Sequence, residues 1–152
     1  MQILHKIAKF GASTNDMRDI YFSYIRSILE QSCNVWRTSL SQENEQDLER
    51  IQKAALKIIF KNNYLNYEHA CNQLNISDLK TRRNTLFERF TRQNVNHPLM
   101  NEYFQENTNN QYFLRQPRKY KITKARTERF RNSAIIQMQH IANELNIRSK
   151  IT

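Results

Sequence analysis

The chain has 152 residues and a formal net charge of +10, from 24 Lys and Arg against 14 Asp and Glu. Gly occurs once and Pro twice, so neither the many tight turns of a β-sandwich nor a glycine-rich phosphate loop can be built, and helices joined by Asn- and Ser-based loops are expected. Short apolar runs span no membrane, two cysteines make no disulfide framework, and His5, Lys6 and Lys9 break up the apolar residues of the first ten, leaving no secretory h-region. The expectation is an intracellular protein, nuclear or cytoplasmic and not secreted, with Cys33 and Cys71 as free thiols.

In chain order, Ile3, Leu4, Ile7 and Phe10 form a first apolar stripe, with Gly11 at a C′ position. Ser13 or Thr14 caps the next helix and Asp16 lies in its first turn. Its stripe is the cleanest in the chain: Met17, Ile20, Tyr21, Tyr24, Ile25, Ile28 and Leu29, with Arg18, Arg26 and Glu30 off it. This helix should reach about Ser32 and lead into Cys33, Val35 and Trp36, with Tyr21 and Trp36 read as core. Ser41 opens a third helix, with Glu43, Glu45, Asp47 and Glu49 near its start and Lys53, Lys57 and Lys61 near its end, complementing the helix dipole. Its buried face is read as Leu48, Ile51, Ala55, Ile58 and Ile59, with Glu49 and Lys53 as an i, i+4 pair.

Asn66 caps a short helix through Tyr67, Ala70, Cys71 and Leu74. Ser77 is the predicted cap of another, with Leu79, Leu86, Phe87 and Phe90 inward and Arg82, Arg83, Arg89 and Arg92 largely outward. Pro98 suits the first turn of a short helix through Leu99, Tyr103 and Phe104. Residues 105–126 are polar, without helical period, and read as a long basic loop. The last helix is predicted from about Thr127 to Asn146, with Phe130, Ala134, Met138, Ile141 and Leu145 on one face. The fold class is therefore all-α: a bundle of about five to seven helices with a long basic loop before the last. The stripes led by Ile7, Ile25, Leu48 and Phe90 should meet in apolar contacts, with no sheet beyond a stray bridge.

Charge is spread unevenly. Residues 1–75 carry nine basic and eight acidic residues, whereas residues 76–132 carry thirteen and five. Residues 114–131 hold eight cations and one acid, Glu128. Such clustering raises self-repulsion without helping the fold, which points to a polyanionic partner, nucleic acid first among them. The candidate contacts are Arg115, Arg118, Lys119, Lys121, Lys124, Arg126, Arg129 and Arg131, with Arg82, Arg83 and Arg89 as a second patch. Tyr112, Phe113 and Tyr120 lie among these cations, an interleaving that can stack bases while the cations take phosphates; the same rings would equally pin the loop to a helical core.

Other chemistry has little support. The soft ligands Cys33, Cys71, His5, His69, His97 and His140 do not stand at zinc-site spacing, and His69 and Cys71, two apart on a helix, face different ways. The acids from Glu43 to Glu49 read as helix N-terminal charge rather than a catalytic or two-metal set. No metal, cofactor, membrane or small-molecule substrate is expected, and no catalytic residue is assigned.

Several stretches together resemble a known family. Lys9-Phe10-Gly11-Ala12-Ser13, then Tyr21-x-Ser23-Tyr24-Ile25-Arg26-Ser27-Ile28-Leu29-Glu30-x-x-Cys33-x-Val35-Trp36, is similar to the region after the catalytic palm in non-LTR retrotransposon reverse transcriptases of the jockey type. Leu48-Glu49-Arg50-Ile51-Gln52-Lys53-Ala54-Ala55-Leu56-Lys57-Ile58-Ile59, Tyr67-Glu68-x-Ala70, Leu79-x-x-Arg82-Arg83 and Arg126-Thr127-Glu128-Arg129-Phe130-Arg131-Asn132-Ser133 continue it in order. The resemblance implies a thumb-like helical region over residues 1–61 and a carboxy-terminal helical segment over residues 62–152. It further implies a grip on template–primer nucleic acid, RNA–DNA hybrid or duplex, and a palm as partner. The family's aromatic-Ala-Asp-Asp box is not in this sequence. A fragment of an RNA-directed DNA polymerase, without enzyme activity of its own, is therefore implied. The alternative is a helical interaction module that docks on a palm or another protein and has no nucleic-acid role.

Overall fold

The computed structural model describes residues 2–107 and 118–151, with side chains over 2–107 and 118–146. The described chain is all-α: α1 Gln2–Lys9, α2 Thr14–Ile20, a π-helical stretch Tyr21–Arg26, α3 Ser27–Glu30, α4 Cys33–Trp36, α5 Gln42–Phe60, α6 Tyr67–Leu74, α7 Leu79–Asn94, α8 Glu128–Arg131 and α9 Ala134–Ile151. Short 3₁₀ turns sit at Arg37–Ser39, Lys61–Asn63 and Pro98–Met100. Among the described residues there is no strand, only the antiparallel bridge between Glu106 and Tyr120.

The chain divides into two compact units: Met1–Cys33 with Leu40–Arg83, and Asn34–Ser39 with Asn84–Thr152. Residues 62–83 thus group with the helices that precede them. The expected stripes feed two clusters. Leu4, Met17, Tyr21, Ala55, Leu56, Ile59, Ala70 and Cys71 form the first, with Ile7 and Ile25 packed on it. Phe87, Phe104, Tyr120, Met138 and Ala142 form the second, with Phe90 against it.

Local chemistry sets the helix ends. After α1, Gly11 takes φ +81°, and the N–H groups of Ala12 and Gly11 donate to the carbonyls of Ile7 and Ala8, each at 3.4 Å. These are the two bonds of a Schellman stop, which places a left-handed residue where only Gly is unstrained. Ser13 and Asp16 form a reciprocal capping box on α2, and Ser41 and Asn66 cap α5 and α6. The cap of α7 is Asp78, not Ser77: its carboxylate accepts from the Thr81 N–H at 2.8 Å. A carboxylate one residue nearer the helix reaches that N–H and also complements the positive end of the helix dipole.

The buried face of the second helical segment drifts. Met17 and Tyr21 are buried, but the wide π turn then brings Arg26 and Glu30 round toward the inner side and sends Tyr24 and Ile28 into solvent. Ile25 is half-buried, and the Arg26 Nε donates to Glu30 at 2.7 Å while its guanidinium covers the Phe22 ring at 5.2 Å. A uniform 3.6-residue period misplaces this face because a π turn takes more residues per revolution. Phe10 and Ile3, expected inward, are also exposed.

Three further expectations change. On α7 the buried line is Leu79, Arg83, Phe87 and Thr91, spaced by four. That line carries Arg83 inward, leaving it 2% exposed and 3.9 Å from Glu45, and correcting its outward placement. The helix around Pro98 stops at Met100; Leu99 is exposed and Phe104 is buried. The last helix is broken: Asn132, at ψ 6°, ends α8, and α9 begins after Ser133, so Phe130 does not share the inward face of Met138.

The Asp78 cap has a pH signature. Burial pushes its carboxyl up, but bonds from Thr81 and from nearby backbone N–H groups outweigh that and hold it below the ordinary carboxylate range. A group lowered in the folded state stabilises fully above its unfolded value, about 3.9, and loses that contribution as pH falls through its folded value. Asp78→Ala is expected to cost about 1 kcal/mol at neutral pH. Urea melts of parent and variant should converge below about pH 4; a constant gap down to pH 2 would contradict the cap.

Candidate nucleic-acid interface

From residue 118 onward the basic segment is fixed by α9. The Asn143 side chain accepts the Tyr120 N–H at 2.8 Å and donates to the Tyr120 carbonyl at 3.0 Å. One turn earlier, Gln139 accepts the Thr123 N–H at 2.9 Å and donates to the Tyr103 carbonyl at 2.6 Å and to the Thr123 Oγ1 at 3.1 Å. The two amides stand four apart on one helix face and pair with extended backbone as a neighbouring strand would. Both are buried, so their polar groups are matched rather than stranded. The bonds of Asn107 to Lys119 and of Lys121 to Gln105 close the bridge on the other side.

With its backbone held this way, the segment turns Tyr120 inward and its cations outward. Arg118, Lys119, Lys121, Lys124, Arg126, Arg129 and Arg131 are all exposed, and Glu128 is the single acid among residues 118–131. The Lys119 ammonium lies 5.1 Å from the centre of the Tyr120 ring and 3.6 Å from Glu106. Tyr120 first, and then Glu106, hold it protonated above the usual lysine range.

Of the second patch, Arg89 is exposed. Arg82 is half-exposed and its Nε donates to Glu30 at 3.2 Å, so its charge is shared with a carboxylate. Arg83 is buried and presents nothing at the surface. Among the stacking candidates, Tyr120 is only 7% exposed and meets Phe104 edge-on at 5.6 Å, which makes it a core ring and corrects its assignment. Tyr112, Phe113 and Arg115 lie outside the described residues.

Residue-type reasoning missed Gln139 and Asn143, which place the segment; two amides at i, i+4, next in sequence to the inward Met138 and Ala142, were the available signal. It also assigned Phe130 inward, whereas that ring is 48% exposed among Arg126, Arg129 and Arg131. Among the described residues, no three His, Cys, Asp or Glu side chains come together as a metal site, and no helix is long and apolar enough to cross a membrane. Comparison of the chain with protein-family models, with curated proteins and with solved structures finds no match.

Proposed function

We propose that this chain grips nucleic acid through its phosphates, as a helical part, outside the catalytic palm, of a retrotransposon-type RNA-directed DNA polymerase. The observation that carries the reading is the row of seven exposed cations over residues 118–131, against one acid, on backbone anchored by Gln139 and Asn143. Lys and Arg on a fixed backbone neutralise phosphates without reading bases, so binding is independent of sequence and strongly salt-dependent. The ligand is duplex or RNA–DNA hybrid, and the chain alone carries no polymerase activity. The resemblance to the region after the palm of jockey-type reverse transcriptases supports the same reading, with the palm as partner.

Each phosphate neutralised contributes about −0.9 to the slope of log K against log salt on B-DNA, so engagement of four to six cations gives roughly −3.6 to −5.4. Replacing Arg118, Lys119 and Lys121 together by Ala should flatten that slope by up to about 2.7 with helical content intact. Titrations of parent and triple variant at several salt concentrations read this directly. An unchanged slope would reduce the segment to solvated surface.

A second reading has its own observation. Ile3, Phe10, Tyr24 and Ile28 are exposed large apolar side chains in the first unit. A helical interaction module would cover them with another protein, such as a palm. Self-association or partner binding without nucleic-acid affinity would favour it.

A further inference from the structure

Phe130 stands at the rim of a groove of about 410 Å³ lined by Val35, Thr38, Thr127, Arg129, Asn132 and Ser133. All of these belong to the second unit. Thr127 caps α8 by accepting the Phe130 N–H at 3.3 Å, and Asn132 ends that helix one turn later. Phe130 is thus carried on a short capped turn and is 48% exposed, and its sequence neighbours Arg129 and Arg131 are exposed as well. Val35, 73% exposed, gives the groove a second apolar surface. Ser133 precedes α9, and its buried Oγ has no hydrogen-bond partner among the described residues.

An exposed ring in a groove that also holds the Arg129 side chain and several polar side chains matches what an unpaired base needs. The ring offers a stacking face, Arg129 meets an adjoining phosphate, and the Asn132 amide and the Thr38 and Thr127 hydroxyls can meet base edges. A paired base has no free face to offer such a ring.

We propose that Phe130 is a base-stacking site for single-stranded nucleic acid, which lets the phosphate-gripping segment also hold the unpaired strand that adjoins a duplex or hybrid. This rests on the nucleic-acid reading above and adds a base-dependent term to it. The ligand class is an unpaired nucleobase with flanking phosphodiesters, taken without regard to base identity.

The test uses the full chain with three labelled probes of equal length: a single-stranded oligonucleotide, the same strand with abasic residues, and the duplex. Phe130→Ala should weaken single-strand binding about fivefold or more and leave duplex and abasic-strand binding within about twofold. Phe130→Trp should retain or improve single-strand binding, which a loss through misfolding would not allow. Equal losses on all three probes, or no loss on the base-bearing strand, would overturn the stacking site while leaving the phosphate grip in place. A parent that binds none of the probes would overturn both readings.

Discussion

Gln52→Ala is expected to destabilise the first unit by about 3–5 kcal/mol, through a cavity and several orphaned polar groups. Gln52 is fully buried on α5. Its Oε1 accepts the Tyr21 hydroxyl at 2.6 Å, and its Nε2 donates to the Tyr67 hydroxyl at 2.7 Å and to the Ser77 carbonyl at 3.1 Å. The Tyr67 hydroxyl in turn donates to Glu49, whose other oxygen accepts the Leu79 N–H at 3.1 Å. One amide therefore ties together side chains and backbone from α5, α6, the π turn and the start of α7. Burial pushes both tyrosine hydroxyls well above the phenol range, with the Glu49 bond adding to the effect at Tyr67, so both stay protonated donors at any ordinary pH. Alanine leaves these partners facing no acceptor and no donor. Tyr21→Phe, which removes one hydroxyl and keeps the ring, should cost only about 1–2 kcal/mol. Urea denaturation of the two variants separates them; a Gln52→Ala loss below about 1 kcal/mol would mean that water replaces the amide without penalty.

Asn143→Ala is expected to cost about 2–4 kcal/mol, because it strands the N–H and the carbonyl of a buried residue, Tyr120, at once. The same change should weaken duplex binding although no charge is removed, since residues 118–124 lose half of the hold that keeps their cations outward. Denaturation and salt titration on one preparation check both effects. Binding that is unaffected after the expected loss of stability would show that the cations act without a fixed backbone, as a flexible basic tail does.

These two amides, with Arg83 and Gln139, also mark where reading the sequence stops. The apolar skeleton was legible: Leu4, Met17, Tyr21, Ala55, Ile59 and Ala70 lie where their periods put them, and Ser13, Ser41 and Asn66 cap the helices they precede. A binary pattern sends every Gln, Asn and Arg to the surface, since burying one is favourable only when its partners are present. Those partners stand far away in sequence: Gln52 meets Tyr21 31 residues upstream, and Asn143 meets Tyr120 23 residues upstream. No local window contains both ends. The cations of the site were legible as charge, and their exposure follows from that charge. Which aromatic ring stays outside was not legible, because Tyr120 and Phe130 both sit among cations and only the inward pull of Asn143 on one backbone, and the break at Asn132 beside the other, tell them apart.

The π turn bears on how the chain tolerates changes of length. Along the inner face, Met17 to Tyr21 is a step of four, Tyr21 to Arg26 a step of five, and Arg26 to Glu30 a step of four. The wide turn absorbs one residue that an ordinary α-helix would not accommodate in that phase. Loss of a single exposed residue there, Ser23 or Tyr24, would restore a run of fours. Arg26 would then still face Glu30, and Glu30 would still face Arg82. Gain of a residue has no such outlet, since it would rotate everything downstream by about 100°: Arg26 and Glu30 would stay paired with each other but leave the inner face, and Glu30 would swing away from Arg82. Deletion and insertion are thus unequal at this point in the chain.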